Sequence, residues 1–483
     1  MAKKYAVILS VLAIVVYACS TTKKAAASNS GTVDVQSAGK GMAPDGKPYN
    51  ILFIPVDDLN HWVGVLGRNN QVKTPNIDKL ANSGVLFSSA HCAAPICCPS
   101  RAALMSGKRP STTGVYANNN DWRTVISAEQ TMPTFFKTKG YEVLGGGKIY
   151  HGGFDRDTDF DFYFRGGRDG GGGANEKGSF GGIKWGMMKG GDDDLRDYHV
   201  AEWAMGELNK KHEKPFFLAP GIFRPHMPWN VPQKYYDLFP LETIQLPPYK
   251  KDDLDDMPEE GKRMALALGD WEALMKTANP ELEWKKAIRA YMACIAYADA
   301  MIGKIIDALD KSDYKNNTIV VLWGDHGWHL NEKNHWRKFS LWEEATRAPL
   351  IFRVPGVTKA GSVCSTPVDF MNIYPTLAKL CGFEIPRHVE GVSMVPLLQN
   401  VNTVWNLPAV TTHGFNNHAV RTKKYRYIAY DKGGEELYDE EKDPYEWHNI
   451  ANEPGSRAII NELRKYLPKT NKSEIARTRG GGE

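Results

Sequence analysis

Two short, unbroken apolar runs constrain this chain more than any other feature: Ile51-Leu52-Phe53-Ile54-Pro55-Val56 and Thr318-Ile319-Val320-Val321-Leu322-Trp323. A strand wet on one side alternates apolar with polar residues. A strand covered on both sides reads as a continuous run, the mark of a parallel sheet enclosed by helices. Ahead of the second run, Trp284, Ile288, Tyr291, Ile295, Ala298, Ile302 and Ile305 recur at helical spacing with charges between them, which predicts a helix laying one stripe on the sheet. Tyr141-Glu142-Val143-Leu144, Pro215-Phe216-Phe217-Leu218-Ala219 and Pro349-Leu350-Ile351-Phe352-Arg353 are further candidate strands. Strands alternating with helices predict an α/β sandwich with a large, mostly parallel sheet. After about residue 386 the texture changes: Lys424 to Tyr430 alternates, Lys432-Gly433-Gly434 turns, and Glu435-Glu436-Leu437-Tyr438 returns. This predicts an antiparallel hairpin in a smaller C-terminal α+β subdomain.

The N-terminus has another character. Lys3 and Lys4 precede an apolar run from Tyr5 to Tyr17 that ends at Ala18-Cys19-Ser20. Thirteen residues fall short of the ~20 needed to cross a bilayer, so residues 1–18 are expected to be an export signal peptide. Val16-Tyr17-Ala18-Cys19 resembles a bacterial lipoprotein cleavage box, which makes Cys19 the expected lipid attachment site; a plain secretory leader with an incidental Cys19 is the alternative. The mature protein is therefore expected in the periplasm of a bacterium or anchored to a membrane. Residues 19–48, rich in Ser, Ala, Gly and Lys, predict a flexible tether. The expected catalytic domain spans 49–385 and the C-terminal subdomain 386–483. A net charge of +4 on 483 residues gives no strong pull toward nucleic acid. The Gly-rich stretch within 165–182 lacks the Lys-Ser/Thr of a phosphate loop and is expected to be a mobile surface loop.

Seven cysteines, at 19, 92, 97, 98, 294, 364 and 381, are too few for a disulfide scaffold. Cys92, Cys97 and Cys98 crowd together, which fits a bridge, a metal cluster or one chemically special Cys. Paired zinc-ligand spacing is absent. The carboxyl ends of the two apolar runs carry Asp57-Asp58 and Gly324-Asp325-His326-Gly327, where open α/β sheets build their sites. Three converging carboxylates would repel unless a cation neutralised them, and hard oxygen ligands favour calcium or magnesium.

The segment Cys97-Cys98-Pro99-Ser100-Arg101-Ala102-Ala103-Leu104-Met105-Ser106-Gly107, ahead of a helix expected from about Ser100, resembles the type I sulfatase signature C-x-P-S-R-x-x-x-L-[ST]-G. Leu104-Met105 is read against that family's A-A-L-L-T-G ending. The resemblance extends over most of residues 49–450 and implies an alkaline-phosphatase-like fold. It implies that a maturase oxidises Cys97 to formylglycine, whose hydrate attacks sulfur with one hydroxyl and expels sulfate with the other. It implies that Asp57, Asp58, Asp325 and His326 bind Ca2+ together with the modified Cys97; the Asp-His pair is that of the iduronate-2-sulfatase-like branch. Gly147-Lys148-Ile149-Tyr150-His151 resembles G-K-x-x-H, Arg224-Pro225-His226-Met227-Pro228-Trp229 resembles K-P-H-x-P-F, and Trp336-Arg337-Lys338-Phe339-Ser340 resembles W-x-K-x-S. By that resemblance Lys148 contacts sulfate and the hydrate, Lys338 touches the bridging oxygen, His226 donates to sulfate and protonates the leaving oxygen, His151 starts the elimination, and Arg101 orients the hydrate.

Two departures stand out. Asn331 replaces the usual Gly in His329-Leu330-Asn331-Glu332-Lys333, and Cys98 occupies a position where Thr, Ala or Ser is common; it either bridges to Cys92 or packs. The function implied is hydrolysis of sulfate esters on a sulfated carbohydrate. The alternatives are a phosphodiesterase or phosphonate monoester hydrolase of the same superfamily, and a non-catalytic lipoprotein that binds anionic glycans.

Overall fold

Both apolar runs form strands, and they lie side by side. In a computed structural model of the protein, which describes residues 41–170 and 174–478, strand β1 (Asn50–Val56) pairs in parallel with the strand Thr318–Gly324 along its whole length, from Asn50↔Thr318 to Val56↔Gly324. The two acidic motifs therefore leave the sheet at the same level. The expected signal peptide, Cys19 and residues 19–40 of the expected tether lie outside the described residues.

The sheet has eight strands. After β1 come β2 (Val85–Phe87), β3 (Glu142–Gly147), β4 (Phe162–Phe164), β5 (Phe216–Gly221), β6 (Thr318–Gly324), β7 (Leu350–Arg353) and β8 (Ser362–Cys364), in the spatial order β8-β2-β7-β6-β1-β5-β3-β4. Only β7 runs against the rest. Successive side chains point to opposite faces. Leu52, Ile54, Val56, Val320 and Leu322 accordingly join one buried core, while Ile51, Phe53, Ile319, Val321 and Trp323 join the other. The first core is roofed by the helix Pro280–Lys311, which presents Ile288, Tyr291, Ile295 and Ile302; Asn279 caps it by accepting from the Leu282 N–H, and Pro280 opens its first turn. Ile295 is wholly buried, so Ile295→Ala would cost about 2–5 kcal/mol.

The expected C-terminal hairpin is present as Tyr425–Ala429 paired with Glu435–Asp439, within a four-stranded antiparallel sheet that includes Ala409–Thr412 and His418–Arg421. Buried Arg426 joins this sheet to the body, donating to the Leu341 carbonyl at 2.9 Å and pairing with Glu343, Glu440 and Glu446. No described helix is long and apolar enough to cross a membrane.

Three expectations are corrected. The helix expected from Ser100 starts at Cys97. Of the Gly-rich stretch, residues 174–180 form a strand of a hairpin with Ile183–Met188 rather than a mobile loop; Gly178 lies under the Trp185 indole, where a Cβ would come within 2.2 Å of the ring, so the glycine serves close packing. Residues 41–48, expected in the tether, fold onto the body: Met42 bridges Pro48, and Ala43 is buried and accepts from Gly46.

Candidate active site

The sulfatase-like segment is helix α1, Cys97–Ser106, and its residue types follow from where they fall on it. Cys97 takes the first helical position after the extended Ile96. Pro99 sits in the first turn, where a missing N–H is tolerated. Gly107 ends the helix at φ 70°, and a Cβ there would meet Val389 at 2.8 Å. Ser100 Oγ donates to the Asp325 carbonyl at 2.5 Å, fastening the helix to the end of β6.

This places the Cys97 sulfur between the two strand ends. Sγ lies 3.7 Å from Asp58 Oδ1, 3.3 Å from His326 Nε2 and 3.0 Å from Lys338 Nζ. Lys338 also pairs with Asp58 Oδ1 at 2.9 Å, and Lys148 pairs with Asp57. Arg101 is completely buried. Its fork donates to Asp57 at 3.0 Å, to Asp325 at 2.9 Å, and to the Lys148 and Ile149 carbonyls at 2.7 and 3.0 Å. The guanidinium thus braces two carboxylates and the segment that carries Lys148 and His151. Asp58 adopts φ 56°, and its carbonyl accepts from the Tyr291 hydroxyl at 2.8 Å. His226 donates from Nδ1 to the Met227 carbonyl at 2.6 Å, which turns Nε2 toward Asp58 Oδ2 at 3.9 Å.

The electrostatics follow from this packing. Burial pushes the Asp57 carboxyl upward, but Lys148, Arg101, His226 and Lys338 outweigh it and hold the group well below the usual carboxylate range. Burial also drives the Cys97 thiol well above its ordinary range, against the pull of Lys148 and Lys338. The repulsion anticipated among the three carboxylates is met in large part by Arg101, Lys148 and Lys338. A metal still fits. Donor atoms of Asp57, Asp58, Cys97 and His226 lie within 4.8 Å of one another, as do those of Cys97, Asp325 and His326. Asp58 Oδ2 is buried without a hydrogen-bond partner, an arrangement that is costly unless something binds it. Grouping His226 with the carboxylates was not anticipated.

Lys148 and His226 also line a cleft of about 330 Å³, together with His151, Tyr150, Asp155, Tyr163, Arg165, Arg196 and Phe223. Every candidate catalytic residue from the sequence is thus at the sulfur, in the carboxylate cluster or on the cleft wall. Tyr163, Arg196 and Phe223 were missed, since they belong to no motif. Tyr291 was visible only as one member of a helical stripe. Cys92 and Cys98 are both free and buried, and Cys98 Sγ points at the Asn120 carbonyl at 3.5 Å, so Cys98 packs rather than bridges.

Comparison with known proteins gives this geometry a class. The Sulfatase family matches residues 49–383, and the N-sulphoglucosamine sulphohydrolase C-terminal family matches residues 324–473. The chain belongs to the sulfatase family, in its type I class, and is a sulfuric ester hydrolase. It is 42% identical to a sulfatase of Formosa agariphila over 87% of each chain, and 30% identical to human iduronate 2-sulfatase over 70% of each. Among solved structures it resembles one in complex with its substrate D-glucosamine-2-N,6-O-disulfate, with a TM-score of 0.70 and 23% identity, covering 87% of this chain and 96% of that one. The fold is the alkaline-phosphatase-like one.

Proposed function

We propose that the protein releases inorganic sulfate from a sulfated carbohydrate, using position 97 as formylglycine and a bound Ca2+. The observation that carries this reading is the Cys97 sulfur, held at the head of a helix against Lys338, Asp58 and His326. A thiol pushed up by burial stays protonated and is a poor nucleophile, so the encoded side chain fits a precursor better than the reacting group. As formylglycine, the residue would supply a hydrated aldehyde, one hydroxyl of which gives its proton to Asp325 as it attacks sulfur while the second later drives sulfate out. Asp57, Asp58, Asp325 and His326, with position 97, would hold Ca2+, whose charge suits sulfate oxygens.

The remaining work falls to the chain's own groups. Lys148 and Lys338 place two ammonium groups at the reacting position in a site shielded from water, where fixed charge acts strongly. Arg101 braces and aims Asp57 and Asp325, and with Lys148 it holds Asp57 below the usual carboxylate range. His226 presents Nε2 to the departing alkoxide and hands it a proton. His151, on the cleft wall, takes up the proton whose removal frees sulfate. The sulfated-sugar substrate is supported by the likeness to relatives such as human iduronate 2-sulfatase. Export and lipid attachment through Cys19 complete the reading and bring the enzyme to polymers outside the cell.

Mass spectrometry of the residue-97 peptide, from protein made with a formylglycine-generating enzyme, should show the thiol replaced by aldehyde. The same preparation should release sulfate from a panel of sulfated oligosaccharides. Fully converted protein that released sulfate from none of them would overturn the substrate class, and an active preparation with an intact Cys97 thiol would overturn the nucleophile.

A further inference from the structure

The loop that carries Lys338 has an unusual backbone. Of the nine residues from 331 to 339, five are non-glycine residues at positive φ: Asn331 at 99°, Lys333 at 56°, Asn334 at 52°, Arg337 at 70° and Phe339 at 76°. Asn tolerates that region; Lys, Arg and Phe do so only when their surroundings impose it. Arg337 and Phe339 flank Lys338 directly.

What imposes it on the Arg337 side is visible. Arg337 donates from NH2 to Asp270 Oδ1 at 3.0 Å, its Nε stands 2.8 Å from Oδ2 in the same ion pair, and Asp270 is buried. The same Oδ1 accepts from the Gly182 N–H at 2.6 Å. Gly181 and Gly182 form the tip of the hairpin from the Gly-rich stretch, and a side chain on either would push into this ion pair. A Cβ on Gly182 would lie 1.3 Å from Arg337 NH2, and one on Gly181 would lie 2.3 Å from Asp270 Oδ1. A second hold comes from His335, whose Nε2 lies 2.6 Å from the Lys338 carbonyl and whose Nδ1 lies 2.7 Å from the Ala265 carbonyl.

We propose that the Gly181-Gly182 turn and Asp270 clamp Arg337 so as to set Lys338 Nζ between position 97 and Asp58, which makes Arg337 and Asp270 positioning residues for sulfate ester hydrolysis. The inference rests on the role given to Lys338 above. It assigns a purpose to the glycines at the end of the Gly-rich stretch and to an ion pair outside the cleft. The clamp acts through one backbone step, from residue 337 to residue 338. If it slackens, the chain is free to leave positive φ and Nζ withdraws from the sulfur.

A double-mutant cycle tests this on the matured full-length enzyme with nitrophenyl sulfates. A misplacement of about 1 Å at a reacting group can lower the rate on the order of 100-fold. Gly182→Ala and Asp270→Asn should therefore each lower kcat about 10- to 100-fold in the parent, and less than about 2-fold in a Lys338→Ala background. Both should also steepen the dependence of rate on leaving-group pKa, as Lys338→Ala does; loss of fold alone lowers the active fraction and leaves that slope unchanged. Asp270→Asn preserves shape and serves if Gly182→Ala does not fold. Equal losses in both backgrounds, an unchanged slope, or parental kcat in both variants would overturn the clamp. Parental turnover by Lys338→Ala would overturn the role of Lys338 and the clamp with it, whereas an impaired Lys338→Ala with additive losses would overturn the clamp alone.

Discussion

Arg101 offers the sharpest test of how the site is held together. Replacing it with Met keeps the stem in its buried position and removes a fork that serves two carboxylates and two carbonyls. Breaking a buried ion pair by deleting one partner typically costs 3–5 kcal/mol, because a charge is left uncompensated. Here Asp57 keeps Lys148, so the main loss falls on Asp325, which retains the Asp58 N–H at 3.0 Å and His326 Nε2 at 3.6 Å. The low end, about 3 kcal/mol, applies to the pair. The orphaned Lys148 and Ile149 carbonyls add about 1 kcal/mol after relaxation, for a total of ~4 kcal/mol. An unfolding entropy of about 2 cal/mol/K per residue amounts to ~0.9 kcal/mol/K for a cooperative unit of ~440 residues, so Tm should drop by about 4 °C. Differential scanning calorimetry on the metal-free protein reads this directly, and sulfate release should fall at least 100-fold as the carboxylates lose their alignment. Arg101→Lys keeps the charge without the fork and should recover less than half of the stability. An Arg101→Met protein that melts within about 1 °C of the parent and turns over normally would show that the carboxylates are held by something other than this residue.

Cys97→Ala should abolish sulfate release while Cys98→Ser remains active, since Cys98 only packs; substantial turnover by Cys97→Ala would remove the nucleophile from the mechanism. Chelation should abolish activity, and Ca2+ should restore it and raise Tm through binding linkage, with Asp57→Ala showing less bound metal by elemental analysis; normal calcium in that variant would exclude Asp57 as a ligand. His226→Ala should slow a sulfated sugar, whose leaving alkoxide is strongly basic, far more than nitrophenyl sulfate, because proton donation matters in proportion to that basicity; equal losses on both would contradict the assignment. The depressed pKa of Asp57 stabilises the fold fully above the unfolded carboxylate range, near pH ~4, and that contribution is lost as pH falls through the folded value. Metal-free Asp57→Asn should therefore show a flatter decline of Tm below about pH 4 than the parent, and parallel curves would refute the cause assigned.

Much of the fold was legible because its central strands are covered on both faces. The runs at Ile51 and Thr318 cannot be satisfied except between two apolar layers, and once paired in parallel they bring Asp57 and Asp325 to one edge. The Pro280–Lys311 helix and the Tyr425–Asp439 hairpin were equally plain, one from its 3.6-residue stripe and the other from alternation broken by Gly433-Gly434. The start of α1 was not. Ser100 looks like a capping residue, yet its hydroxyl goes to the Asp325 carbonyl, and three residues that local preference leaves in the loop are helical in the folded chain. Local propensity cannot anticipate a partner 225 positions away.

The same asymmetry governs the site. Residues that touch the reacting centre carried short motifs because each chemical task admits few side chains, and those motifs could be located without knowing distances. Apart from Ser100 and Arg101 in the signature, the groups that hold them in place carried none. Asp270, Gly182 and Tyr291 are ordinary residues in ordinary contexts, and their work depends on packing across 67, 155 and 233 positions of chain respectively, between Asp270 and Arg337, Gly182 and Arg337, and Tyr291 and Asp58. Only the backbone betrays one of them. A lysine loop that keeps Arg337 and Phe339 at positive φ must be overdetermined by its neighbours, and a glycine whose missing Cβ is the space the Arg337 guanidinium fills is the kind of neighbour that can do it.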